Sequence, residues 1–354
     1  MSRYIIRRLL QAIPTLIGVS LISFFLAKAT PGDPVRNMTN DPKITQATRE
    51  TLRKQLGLDQ PLVIQYVRWV SGLILRPGNA AEELALDHTT CTYLSFINFT
   101  VCNSGSGIIR GDLGISIATK QPVWNRIIER LPATLELTTT GLVLGLLLGI
   151  PLGVLSAVRQ GSFFDNMVRF FAVVGNAVPV FWMGLILIFV FGVYLNWLPT
   201  GGRQTVSLNS EFDLVDRLRH LILPSFVLAL GWVAVLSRFL RAETLEVLHM
   251  DYIRTAKAKG LVPRQVWFVH ATRNALIPLV TILGPAIAGL IAGALVTETI
   301  FSWPGMGRLT FDAALQRDYP MVLGSVMIAS ALVILGNLLS DILYVVVDPR
   351  VRLS

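Results

Sequence analysis

Apolar residues along the 354-residue chain collect into six blocks, 9–27, 135–158, 170–195, 221–240, 277–300 and 321–347, divided by segments that carry most of the charge. Crossing a hydrocarbon core of about 30 Å takes roughly 20 helical residues, and each block is close to that length or beyond it. Helices are predicted throughout, because a lone lipid-facing strand would leave its backbone groups unpaired. The pattern therefore predicts an all-α polytopic membrane protein with six transmembrane helices and one long external segment after the first. By residue, the expected division is a tail and first helix at 1–29, the external segment at 30–131, a five-helix core at 132–347 and a tail at 348–354. A cytoplasmic loop at 241–276 interrupts the core.

Inside the external segment, Asp41 and Pro42 mark a helix start and Gly57 its end, a cap followed by proline at the first helical position. The run LVIQYVRWVSGLIL, 62–75, repeats apolar residues at helical spacing and suits a helix lying on a membrane surface. Residues 76–107 are the least regular stretch and read as an insertion. Within it stand both cysteines of the chain, Cys91 and Cys102. On an oxidising side they could close a small disulfide loop, or remain two thiols in a mobile insertion. The spans hold many Gly and Pro residues, Gly145, Gly149, Pro151, Pro179, Pro224, Gly284 and Gly289 among them, which suits a bent, closely packed bundle.

Composition agrees: 53% of residues are hydrophobic, 15% are charged and mean hydropathy is +0.59, outside the range of a soluble domain. Short loops vote on orientation through Lys and Arg. Arg3, Arg7 and Arg8 precede the first block, Arg159 and Arg169 flank the second hairpin, and Arg350 and Arg352 close the chain. Arg241, Arg254, Lys257, Lys259, Arg264 and Arg273 fill the loop between the fourth and fifth blocks. Six spans put all of these on one side, assigned to the cytoplasm together with both termini. The net charge of +9 then reflects orientation, not nucleic-acid binding. The N-terminus also imitates a secretory signal, with Ala27-Lys28-Ala29 as a small-x-small site. Its long apolar run, interrupted by Pro14, favours an uncleaved first span.

Catalytic chemistry is not legible. The four histidines are scattered, neither HExxH nor Gly-x-Ser-x-Gly occurs, and no Gly-Lys pair exists to build a Walker A loop. No metal site, cofactor site or catalytic residue is assigned. Glu136, Glu298, Arg238 and Asp341 stand near predicted span boundaries, where charged groups are commonly solvated, and each is weighed as a path-lining group against a structural or interfacial one. An ion-coupled transporter would place acids near the midplane.

The loop 251–278 carries the sharpest local signal. From Arg241 the fourth helix is expected to continue to Gly260, which suits a left-handed helix end, with Pro263 opening the next helix. Ala256, Ala258 and Gly260 leave a side with little bulk, ringed by Arg254, Lys257 and Lys259. A short element of that kind can seat in a partner's groove; an ordinary solvated loop is the plain alternative.

DYIRTAKAKGL followed by HATRNALIP resembles the EAA loop of peptide-type permease subunits of ABC importers, the dipeptide, oligopeptide and nickel family. Arg254 and Thr255 replace the usual Glu and first Ala, as in the peptide branch. Further strings in family order extend the resemblance over almost the whole chain: YIIRRLLQAIPTLIGVSLISFFL with PGDP, LGLDQPLVIQY, GDLGIS, RLPATLEL, FSWPGMGRL, RDYP and DILYVVVDPR. The stretch 76–107 is the departure, longer than expected.

The resemblance implies a type I ABC importer permease fold in a bacterial or archaeal plasma membrane. It also implies a second homologous permease subunit, two ABC ATPase subunits that bind the ATP and Mg, an extracytoplasmic substrate-binding protein, and surrounding membrane lipid. The ATPase-coupling loop would comprise Asp251, Tyr252, Arg254, Thr255, Ala256, Lys257, Ala258, Lys259 and Gly260, with Asn274 and Pro278. Trp303, Pro304, Gly305 and Arg308 would form an external gate or a contact for the binding protein, through a turn that either dips toward the bundle or caps its surface. Short peptides are the expected cargo, with nickel complexes or another small solute as the alternative. An ion-coupled secondary transporter is the reading from a different class.

Overall fold

The computed structural model describes residues 2–29, 46–48, 50, 58–77, 90–96, 98–103, 106–205, 213–276, 278–292 and 294–347. The PGDP string, most of the expected 41–57 helix, the middle of the 76–107 stretch and the tail at 348–354 lie outside them.

Among the described residues, four helices are long and apolar enough to cross a membrane. They are α1 (Ser2–Ala29), α3 (Val123–Val158), α6 (Leu214–Leu248) and α11 (Tyr319–Val347). A fifth candidate is a bent pair, α4 (Phe163–Ala177) and α5 (Val180–Leu187), the latter running on in wider turns through Ile188–Tyr194. The pair meets at 103°. Pro179 stands at the bend, where it cannot donate a backbone bond and drives Val178 into an extended conformation. The 170–195 block is thus not one straight helix. The 277–300 block is also divided, into α8 (Leu279–Ala292) and α9 (Leu295–Ile300), and the short α10 (Met306–Leu315) follows.

The chain forms two compact units, one of Met1–Leu10, Arg130–Arg308 and Ala331–Ser354, the other of Gln11–Glu129 and Leu309–Ser330. In the first, α3 and α6 lie side by side along a glycine seam. Gly141, Gly145, Gly149 and Gly153 recur every four residues and face Leu228, Trp232, Leu236 and Leu240, which recur at the same interval. A Cβ added at Gly141 would come 2.7 Å from Leu228 Cβ, and one at Gly149 2.9 Å from Leu236 Cβ. Only glycine admits this approach, the small-residue packing that joins helices where the hydrophobic effect between them is absent. The seam runs for about 18 Å at 1.5 Å per residue.

In the second unit, α2 (Leu62–Ser71) ends where Gly72 takes φ 72°, and the chain turns into β1 (Leu73–Pro77). The helical reading of 62–75 therefore holds only as far as Ser71. With β2 (Thr90–Leu94) and β3 (Phe99–Asn103), β1 forms an antiparallel sheet in the order β1-β3-β2. The stretch expected to be irregular thus contains a small sheet, built on short runs such as TCTYL and FTVCN whose β-branched and aromatic residues suit strands. Cys91 and Cys102 are direct partners in the β2–β3 register and are joined by a disulfide. Tyr66 on α2 meets Ser20 of α1 at 2.7 Å and packs edge-on against Phe24.

This unit also gives the GDLGIS and RDYP strings a structural role. Asp318 of RDYP is buried and accepts from Ser116 Oγ, from the backbone N–H groups of Ile117 (3.0 Å) and Ala118 (3.2 Å), and from Met321 N–H at the start of α11. One carboxylate joins two strings 200 residues apart.

Candidate functional site

The loop after α6 is more broken than its helix-forming sequence predicts. α6 stops at Leu248, Met250 is extended, and a separate helix α7 (Asp251–Ala258) follows. Asp251 in the first turn of α7 favours a fresh start there, where the helix dipole is positive. Gly260 adopts φ 74° and Pro263 opens the next helical stretch, both as the sequence predicts. Pro263–Gln265, Val266–Ala271 and Thr272–Ala275 run on from one another and carry the chain back.

A miniature core holds this loop. Ile253 and Ala256 of α7 pack with Val266 and Ala271, joined by Val247 and Leu248 at the end of α6 and by Trp267. Ala256 is thereby committed inside the loop and is not available to a partner as a small-residue face. Small size at that position serves close packing of α7 on the returning chain. The exposed residues are Asp251, Tyr252, Arg254, Thr255, Lys257, Ala258, Lys259 and Gly260. Arg254 pairs with Asp251 at 3.4 Å, but the side chains are 74% and 95% exposed, so the pair adds little stability. Asn274 donates to His270 O at 3.0 Å, staying within its own helix, and Pro278 lies half-buried.

The second predicted region, 301–309, turns inward. Phe301, Trp303 and Met306 are almost wholly buried, Gly305 is buried, and Pro304 and Arg308 are half-buried. Trp303 packs among Ala133, Leu137 and Leu221 and donates from Nε1 to Ala133 O at 2.8 Å. Phe301 joins Leu187, Leu223 and Val227. Of the two geometries open to the sequence, the dipping turn is the one observed.

Glu298 organises that turn. It is fully buried, which fits the structural alternative among those open to the sequence, and accepts from Thr134 Oγ1 at 2.9 Å and from Arg308 N–H at 2.9 Å. Thr134 in turn accepts from Met306 N–H at 2.7 Å. Gly305 lies against the Glu298 carboxylate with no room for a Cβ.

The other ionisable groups in the spans have partners as well. Glu136 accepts two bonds from Arg203 and two from Arg217, at 2.5–2.8 Å. Asp341 pairs with Arg8 at 3.0 Å, and Arg238 donates to Ala234 O. Sequence reasoning missed Arg203, Arg217 and Asp165, whose ion-pair partners stand 67 or more residues away. It also missed the four-residue period of the seam glycines, a signal that was present. Among the described residues, no group of three or more His, Cys, Asp or Glu could hold a metal.

Comparison with known proteins agrees over the full length. The family model described as "binding-protein-dependent transport system inner membrane component" matches residues 149–353, and that of its membrane component N-terminal region matches 1–104. An oligopeptide transport system permease protein of Bacillus subtilis is 44% identical, over 99% of this chain and all of that protein. A di/tripeptide transport system permease protein of Pseudomonas aeruginosa is 39% identical, over 99% of each. A solved inward-facing methionine ABC transporter chain is 18% identical with a TM-score of 0.49, over 63% of this chain and 96% of that one, a likeness too slight to add to the case. The chain belongs to the family of binding-protein-dependent transport system inner membrane components.

Proposed function

We propose that this chain is a permease subunit of an ATP-driven ABC importer of short peptides and forms half of the translocation pathway. The carrying observation is the end-to-end match to permeases named for oligopeptides and for di/tripeptides. In this reading six spans place both termini in the cytoplasm in a type I importer arrangement, with 30–131 outside and 132–347 as the core. A second permease subunit completes the pathway. Two ATPase subunits bind ATP and Mg, and an external binding protein delivers the cargo.

Residues 251–260 act as the coupling loop. The exposed set from Asp251 to Gly260 faces the ATPase, and buried Ala256 stiffens the loop from behind. A partner shifts a two-state equilibrium only by binding one state better, and moving it from 1:99 to 99:1 takes about 5.5 kcal/mol. Closure of an ATP-bound ATPase pair is a fitting source. The inward-turned segment around Trp303, Pro304, Gly305 and Arg308 acts as an external gate; its burial suits a gate better than a standing contact for the binding protein.

Reconstitution of this chain with its second permease, ATPases and binding protein in proteoliposomes tests the reading. ATP-dependent uptake of labelled di- to pentapeptides is expected. ATP-dependent uptake of nickel complexes without peptide uptake would change the cargo, and gradient-driven uptake by this chain alone would overturn the importer reading.

A further inference from the structure

A third buried carboxylate, outside both predicted regions, sits where α3 turns into α4. Asp165 is fully buried. Its Oδ1 accepts from Ser156 Oγ (2.5 Å) near the end of α3 and from Arg241 Nε (2.7 Å) on α6. Its Oδ2 accepts from Gly161 N–H (2.9 Å) in the turn and from Arg241 Nη2 (2.7 Å). Ser162 caps α4 by accepting from Asp165 N–H. Gly161 takes φ 76°, a left-handed geometry that glycine adopts freely. Four bonds on one carboxylate thus tie the end of α3, the turn and the start of α4 to a single guanidinium on α6.

The position of that guanidinium matters more than its strength. Arg241 lies directly after Leu240, the last seam residue facing Gly153. It precedes by six residues Val247, where α6 enters the miniature core of the 251–260 loop. α6 is one uninterrupted helix between these points, so about 9 Å of rigid rod separates the loop's attachment from the pair. Apolar packing of similar volume often stabilises as well as a buried ion pair. A forked guanidinium–carboxylate contact adds direction, resisting both separation and rotation of the two elements.

We propose that Asp165 and Arg241 are positioning residues forming a force-transmitting joint, through which displacement of the 251–260 loop moves α3, α4 and α6 as one body. The proposal rests on the coupling role assigned above to that loop. The glycine seam prevents sliding along α3 and α6; the joint carries the movement into the α3–α4 hairpin.

The test uses the complete importer in proteoliposomes and reads ATP hydrolysed per peptide imported. Asp165→Asn and Arg241→Gln are expected to raise that ratio about tenfold, within the usual range of coupling between two sites, with ATPase subunits still bound. Arg241→Lys, which keeps the charge and loses the fork, should fall between them and the unaltered chain. A joint that merely stabilises the fold would lower uptake and hydrolysis together, leaving the ratio unchanged, and that result overturns the proposal. If the variants do not insert, spin labels at Phe163→Cys and Glu246→Cys, with the joint intact, give a second measurement. Their separation should change by less than about 2 Å between nucleotide-free and ATP-bound complexes, the scale of a helix shift; a larger change overturns it. Failure of the coupling role itself is read separately, as normal uptake and ATPase binding in Gly260→Asp.

Discussion

The 251–260 loop and the 298–308 segment are both short, glycine-bearing and recognisable as strings, yet they are built in opposite ways. The loop buries only Ile253 and Ala256 of its helix and exposes nearly everything else. The 298–308 segment buries Glu298, Phe301, Trp303 and Met306 and bonds their polar groups internally. The loop keeps its polar chemistry in reach of solvent, whereas the segment spends its chemistry on its own neighbours. The glycines follow suit: Gly260 serves backbone conformation with open space around it, whereas Gly305 serves close approach to a carboxylate.

The sharpest way to break this contrast is at Gly305. Gly305→Val forces atoms into the Glu298 carboxylate, and no folded protein is expected by size-exclusion chromatography in detergent; normal yield would mean the segment is not packed as described. Trp303→Ala comes next. It empties a buried indole site and removes the indole bond to Ala133 O, and is expected to cost about 3–5 kcal/mol, read as lowered Tm of the purified chain. Gly260→Val should cost only about 1–2 kcal/mol for a left-handed residue with a Cβ. Its loss of peptide uptake should exceed its loss of folded protein, and equal losses would erase the functional difference between the regions. Lys257→Ala with Lys259→Ala should leave stability within about 0.5 kcal/mol, as exposed substitutions usually do. Co-purification of ATPase subunits should nevertheless fall, and unchanged co-purification would remove these lysines from the docking face.

How far these regions were legible differs residue by residue. Gly260 and Pro263 announced the turn, because left-handed glycine and N-terminal proline are local preferences that need no tertiary partner. Ala256 was legible as small but not as buried, since its packing partners Val266 and Ala271 come from the returning chain. The break at Met250 carried no breaker residue. Glu298 was left between path-lining, structural and interfacial roles because hydropathy counts charge along the chain, while its buried partner Thr134 stands 164 residues away. The 62–75 run read as one helix because strand β1 is specified by pairing with β3, which periodicity cannot see.

The sequence alone determined that the chain is an apolar helical protein with a basic, glycine-ended loop between its fourth and fifth blocks, because span length, charge placement and turn chemistry are local quantities. Its family strings fixed the class of machine. Only the tertiary structure decided which small residues are exposed and which are packed, and which donors each carboxylate faces: Arg203 and Arg217 for Glu136, Arg241 for Asp165, and the Ser116 hydroxyl and the amides after it for Asp318. The physical reason is common to all three. A carboxylate taken wholly or partly out of water is tolerable only where donors converge on it, and here donors come from distant parts of the chain that folding alone brings together.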